Sequence, residues 1–530
     1  MGSFLRGTMR QVFWVGALLW VMAPEAIAAT NPVLQIGIVQ RFGEQPGTLE
    51  LKAQPGDRLT VKVDSLDRTQ TLTGDRLVLQ PVTQPLPEPV VDERVVLGTY
   101  RSFETAEAAA TQWRSRGIQV ELAQPSERWQ VWAKREIYHQ PLLRRLLLDS
   151  VRANPPATTG GQPSLFSQRR DRNLLVSGAI GGRSFASERL EISAGKGAIE
   201  VGRDRFAGSL KLQRNAYGSY TIVNAVPTET YLRGVVPYEI GAGAPESALQ
   251  AQAILARTYA LRNLRRFAID GYQLCADTHC QVYRGLKAAT ARVDRAIAAT
   301  NGQVLTYQNE LIDALYFSTS GGVTAHFTDV WDGPDRPYLR PVVDAHQPIW
   351  DLAARPLSDE RNLRQFLAIA QGWNELGWRD FRWRRSSTLP EIAQGLQRYC
   401  RAQNSDCANL KTVQSLTVTE RSPGGRVRKL TVATDRGPLV LEKDAVRSAF
   451  MAPRSTLFYL EPIGGGTQPL RGYAFVGGGW GHGAGLSQAG SQKLAQLGWN
   501  ASRILQFYYP GTQLQPMSDR LILWRDPQPQ

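Results

Sequence analysis

The sequence predicts a multidomain α+β protein: a mainly antiparallel β framework around a central helix, preceded by a small α+β domain. Three observations carry this. The chain has 530 residues, 42% hydrophobic and 21% charged, enough for several packed cores and too apolar for a disordered chain. Most of its apolar runs are short and alternate with polar residues, the period of half-buried strands. One stretch, from Pro245 to residue 267, instead carries Ala248, Leu249, Ala251, Ile254, Leu255, Tyr259 and Leu264 at helical spacing, with Pro245 suited to the first turn.

The elements follow in order. Residues 1–28 read as a signal peptide: Arg6 and Arg10, an apolar run from Val12 to Met22, then Ala26-Ile27-Ala28 as a small-x-small cleavage site. An uncleaved anchor is the alternative. No later run is apolar for long enough to span a bilayer, so the mature chain is expected to be exported, to a periplasm or cell wall, with no transmembrane span. Residues 32–80 form a short β-rich segment, with alternation at Val33–Val39 and Leu59–Val63. Residues 81–92, rich in proline, read as a linker.

Residues 93–152 form a small α+β unit. Arg94–Tyr100 reads as a strand, Ser102 caps a helix ending near Gly117, and Ile118–Leu122 and Trp129–Ala133 read as two more strands. This order resembles the first part of a SPOR domain, a small module that binds peptide-stripped peptidoglycan glycan. Residues 153–168, with Pro155-Pro156 and Gly160-Gly161, read as a second linker. A long domain over 174–515 follows, with a helical insertion at about 355–410.

The formal net charge is +15, which favours an anionic partner such as an acidic wall polymer or serves solubility alone. Export excludes DNA and RNA as expected partners. The four cysteines fall into two close pairs, Cys275 with Cys280 and Cys400 with Cys407. In an exported chain this suggests two local disulfides. The rival reading is a zinc cluster at Cys275, His279 and Cys280, for which no fourth ligand stands nearby.

The chemistry is concentrated in separated blocks: residues 226–239 (VPTETYLRGVVPYE), 246–260 (ESALQAQAILARTYA), 275–285 (CADTHCQVYRG), 314–324 (ALYFSTSGGVT), Asp329-Val330-Trp331 with Pro337-Tyr338-Leu339, 481–490 (GHGAGLSQAG) and 504–512 (ILQFYYPGT). Together and in this order they resemble the stage II sporulation protein D / LytB (SpoIID/LytB) family. The resemblance implies that Glu239 is the catalytic acid of a peptidoglycan lytic transglycosylase and that Arg257 matters for activity, by holding a substrate acetamido oxygen or orienting Glu239. The LytB branch is described as amidase enhancer, so the same resemblance also implies a non-catalytic wall-binding protein that stimulates a cell-wall amidase.

Around these blocks the residues allow further readings. Gly477–Gly485 lets backbone approach a ligand closely, matching no phosphate-binding fingerprint. His482, Ser487 and Gln488 are candidate sugar contacts; the alternative is a packed glycine turn before a helix capped by Ser487. Ser318 and Ser320 read as cleft or turn residues, because no acyl-hydrolase signature accompanies them or His326. Asp329, Asp332 and Asp335 lack calcium-loop spacing and read as Asx turns.

Overall fold

The structure, a computed structural model, describes residues 31–64, 69–154, 160–403 and 405–525, so the signal-peptide segment lies outside them. The fold class is α+β, as the sequence predicts.

The main sheet has seven strands. Its neighbours run Leu274–Cys275, Val33–Phe42, Tyr220–Pro227, Ser209–Arg214, Leu190–Ala194, Leu59–Asp64 and Thr69–Gly74. The 32–80 segment is therefore not a separate unit. Its first strand pairs antiparallel with Tyr220–Pro227, Val33 opposite Pro227. Leu34, Ile36, Val61 and Val63 enter the same core as Leu210 and Ile222. The alternation identifies such strands but says nothing of partners so distant in the chain.

The predicted linker at 81–92 is a strand. Arg76–Tyr100 runs unbroken and pairs with Ser164–Ile180, which also replaces the last part of the 153–168 linker. Proline misleads here for a physical reason. Pro81 and Pro85 lie in register with Val176 and Arg172, four apart, so their missing N–H groups face the same way. In this stretch the described partner is Ser164–Ile180 alone, so one edge of the strand is left unpaired and can tolerate the missing donors. Pro87 and Pro89 fall in the irregularity between Pro85 and Val90.

This long hairpin carries the small α+β unit. After Tyr100 come the helix Phe103–Ser115, capped by Ser102, the strands Val120–Ala123 and Trp129–Ala133, and the helix Pro141–Ala153. With Ser164–Ile180 the order is βαββαβ, and all pairings are antiparallel, the split βαβ arrangement. The unit does not precede the core domain but interrupts it. It is also fastened to it. Arg265 grips Glu107 with a two-bond fork at 2.6 and 2.8 Å, Arg266 pairs with Glu104, and Trp129 packs on Phe267 at 5.0 Å.

The central helix is Glu246–Arg262, with Pro245 at its N-cap position. It is buried at every position from Ala251 to Arg262, as a helix enclosed on all sides must be. Beyond it lies a second lobe. There, the region read as a helical insertion holds the helices Glu360–Ala368 and Leu389–Arg401, but also a strand, Trp383–Thr388, paired with Gln468–Gly477. That strand is mostly exposed and lacks apolar alternation, so periodicity does not reveal it. Among the described residues no helix is long and apolar enough to cross a membrane.

Candidate active site

Glu239 sits on a single wide helical turn, Pro237–Gly241, that follows the short helix Thr228–Arg233. Gly241 closes the turn at φ +86°, a left-handed conformation that a side chain would strain. Val235, Val236 and Ile240 anchor the turn in the core, and the half-buried Glu239 faces a cleft of about 570 Å³.

Three parts of the molecule enclose that cleft. The core supplies Glu239, Val282, Tyr316 and Ser318; the small unit supplies Ser102, Phe103 and Trp129; the second lobe supplies Asp444 and Arg447. The glycine-rich segment adds Trp480 and His482, and Gln488 begins the helix Gln488–Gln496. Glycine is needed here: a Cβ on Gly479 or Gly485 would meet backbone at 2.7 or 2.0 Å.

Burial raises the Glu239 carboxyl above its ordinary range. It prevails over the polar neighbours that favour the ionised form, first among them Val282 N–H, which donates to Oε1 at 2.7 Å. Gln488 and Tyr316 stand beside the same carboxyl, and the Tyr316 hydroxyl spends its one proton on Gln281 Oε1 at 2.8 Å. His482 Nδ1 accepts from Ala484 N–H at 3.1 Å. Burial, then the Arg447 charge, pull that imidazole down to about 4, so it is neutral at pH 7. Against burial, Arg447 and Arg101 hold Asp444 below its ordinary range, at 2.8 and 2.9 Å.

Of the sequence-predicted residues, Glu239, Ser318, His482 and Gln488 line this cleft. Arg257 does not. Its guanidinium is 1% exposed and forks onto Glu229 at 2.6 and 2.7 Å, with Nη1 donating to Gln303 O at 3.0 Å. It does not line the cleft, and its described partners do not include Glu239. It ties the helix Thr228–Arg233 to the central helix. Ser320 and Ser487 also lie away from the cleft, both fully buried. Ser320 Oγ donates to Asp344 at 3.0 Å; Ser487 Oγ donates to Glu375 Oε1 at 2.5 Å and accepts from Gly490 N–H as a helix cap. His326 pairs with Asp335 rather than with a serine. Asp329 and Asp332 take Arg428 and Lys443 as ion-pair partners and Asp335 meets His326, so side-chain pairing accounts for the three aspartates better than Asx turns do.

Cys275 is joined to Cys280 and Cys400 to Cys407. With both sulfurs of the first pair bonded, neither is a thiolate, and His279 faces Glu127 at 3.4 Å. The donor set does not fit zinc. The disulfide instead staples the loop that presents Val282 N–H to Glu239. Sequence reasoning missed Arg101, Asp444, Arg447, Trp480 and the role of Tyr316. Tyr316 lies in the block at 314–324 and was within reach; the Arg101–Asp444 ion pair joins segments more than 300 residues apart, which no motif encodes.

Fold and cleft together define a multidomain α+β protein whose core presents one raised carboxyl to a cleft walled by three units. Residues 216–307 match the family model for stage II sporulation protein, and residues 325–485 match a domain of unknown function (DUF8618). These matches bear out the resemblance of the chain to the SpoIID/LytB family, carried by the stretch at 216–307. It is 28% identical over 295 residues to the amidase enhancer of Bacillus subtilis (strain 168), covering 53% of this chain and 40% of that protein. It is also 28% identical over 309 residues to stage II sporulation protein D of Bacillus amyloliquefaciens, covering 55% of this chain and 75% of that protein. The Bacillus subtilis (strain 168) stage II sporulation protein D matches at 28% over 354 residues, 63% of this chain and 87% of that protein.

Proposed function

We propose that this is an exported cell-wall protein that cleaves peptidoglycan glycan strands as a lytic transglycosylase, with Glu239 as the single acid and base. The observation that supports it is a raised carboxyl opening on a cleft of about 570 Å³, with no second unpaired carboxylate lining it among the described residues. Glu104 and Asp444 also line the cleft, but each is occupied by arginine. A single carboxyl suffices for this reaction. Protonated Glu239 gives its proton to the glycosidic oxygen between N-acetylmuramic acid and N-acetylglucosamine as that bond breaks. The muramic C6 hydroxyl attacks its own anomeric carbon, and its proton returns to Glu239. The product carries a 1,6-anhydro ring, and neither water nor a cofactor is consumed. The small unit has the element order of a SPOR-like module. Its Phe103 and Trp129, 2% and 1% exposed, back that side of the cleft from within.

The second reading is a non-catalytic enhancer of an N-acetylmuramoyl-L-alanine amidase, favoured by the relative named amidase enhancer. Mass spectrometry of glycan digested by purified protein separates the two. Wild type should release 1,6-anhydro products, and Glu239→Gln should lower the rate at least about 10²-fold while glycan binding persists. Cleavage by the variant at the wild-type rate would refute the role of Glu239. If neither form cleaves and both stimulate an amidase, the enhancer reading holds.

A further inference from the structure

The helix Gln488–Gln496 carries glutamine at 488, 492 and 496. Residues four apart lie on one face, so the three amides form a row along about 12 Å of helix. Its first member lines the cleft together with Glu239. Its second donates from Nε2 to Ile240 O at 3.1 Å, the carbonyl next to the Glu239 residue. The second and third line another cavity, of about 320 Å³. The opposite wall comes from residues 346–378, within the stretch matched by the domain of unknown function.

The chemistry of that cavity is specific. Trp378 is 43% exposed, a large indole offered to solvent beside the amide row. Asn374 is 2% exposed and rigidly placed: Nδ2 donates to Asp344 Oδ1 at 3.0 Å, and Oδ1 meets His346 Nδ1 at 3.2 Å. No carboxylate lines the cavity and Lys493 is its one fixed charge, which disfavours a cationic ligand. An aromatic plane with amide donors and acceptors, and little charge, suits a pyranose ring. The apolar face of the ring covers the indole, and hydroxyl and acetamido groups bond to the amides.

We propose that the cavity between Trp378 and the Gln492–Gln496 face is a second sugar subsite, holding an N-acetylated glycan whose neighbouring rings lie over Glu239. The proposal rests on the reading of the Glu239 cleft as a glycan site. One rigid helix serves both places, so it fixes the register of the strand relative to the carboxyl.

The test uses the full chain carrying Glu239→Gln, so that nothing is turned over, titrated calorimetrically with the dimer and the hexamer of N-acetylglucosamine. The hexamer should bind at least about tenfold more tightly than the dimer. Adding Trp378→Ala, or separately Gln496→Ala, should remove most of that gain and leave dimer affinity unchanged; both side chains are exposed, so the variants should fold. A length-independent affinity, or a gain that survives Trp378→Ala, overturns the subsite. Failure of the parent reading looks different: the length gain depends on Trp378, yet native protein releases no anhydro products from peptidoglycan. If neither oligomer binds, the subsite falls whatever the cleavage assay returns.

Discussion

Two buried carboxyl sites meet at adjacent residues. Ser487 bonds to Glu375 of the Asp344–Glu375 pair, and Gln488 stands beside Glu239. Burial raises both Asp344 and Glu239; for Asp344 the neighbouring Glu375 charge adds to it, and two carboxyls in hydrogen-bond contact cannot both ionise. The sites differ in access. The pair is 0% exposed, and its oxygens are taken up by Ser320, Gly321, Asn374, Ser487 and Tyr508. Glu239 has a cleft in front of it. A raised carboxyl thus reports burial, and only an open face turns it into a usable acid.

The contrast can be broken most directly at Asp344. Asp344→Ala strands Ser320, Asn374 and Tyr508, and leaving such buried groups unpaired should cost about 3 kcal/mol in total. Denaturant melts should show that loss, while the rate per folded molecule falls far less than in Glu239→Gln. Normal stability with abolished cleavage would exchange the two roles. Arg257→Lys comes next. It keeps the charge and loses the fork onto Glu229, so stability should fall by about 2 kcal/mol with glycan affinity unchanged. A pure affinity loss would return Arg257 to the substrate.

The smallest effect is one of pH. A carboxyl whose folded value is raised stabilises the fold at acid pH. That stability is lost as pH rises through the ordinary value of 4.5 toward the raised one. As pH rises through that window wild type therefore loses stability that Glu239→Gln, which does not titrate there, keeps. The variant should melt higher at pH 7, with the difference vanishing near pH 4. His482 works in the opposite direction. Its folded value of about 4 costs stability as pH falls from 6.5, but it is common to both proteins and cancels in the comparison.

The core was legible where chemistry is local. The helix at Pro245, the strand periods and the Ser102 and Ser487 caps are written in neighbouring residues. Glu239 was legible through its block and Gln488 through its own. Arg257 was not, because a mid-helix arginine reads the same whether it meets substrate or Glu229, and only the packing of a second helix decides. Ser320 and Ser487 misled for a related reason: their hydroxyls point into the protein toward Asp344 and Glu375, both distant in sequence. The linkers failed because proline was weighed without knowing that its edge would have no partner.

The pairing of Val33–Phe42 with Tyr220–Pro227 also sets an order of folding events. The first described strand waits for one made nearly two hundred residues later, with the small unit completed in between. The Gln303–Tyr307 strand waits in the same way for Gln513–Pro516. Contacts so remote carry a large loop-closure cost before they give any return, so the βαββαβ unit should form early and the main sheet late. Until then apolar strand edges stand open, and the chain is most vulnerable to aggregation while the first described strand still lacks its neighbour.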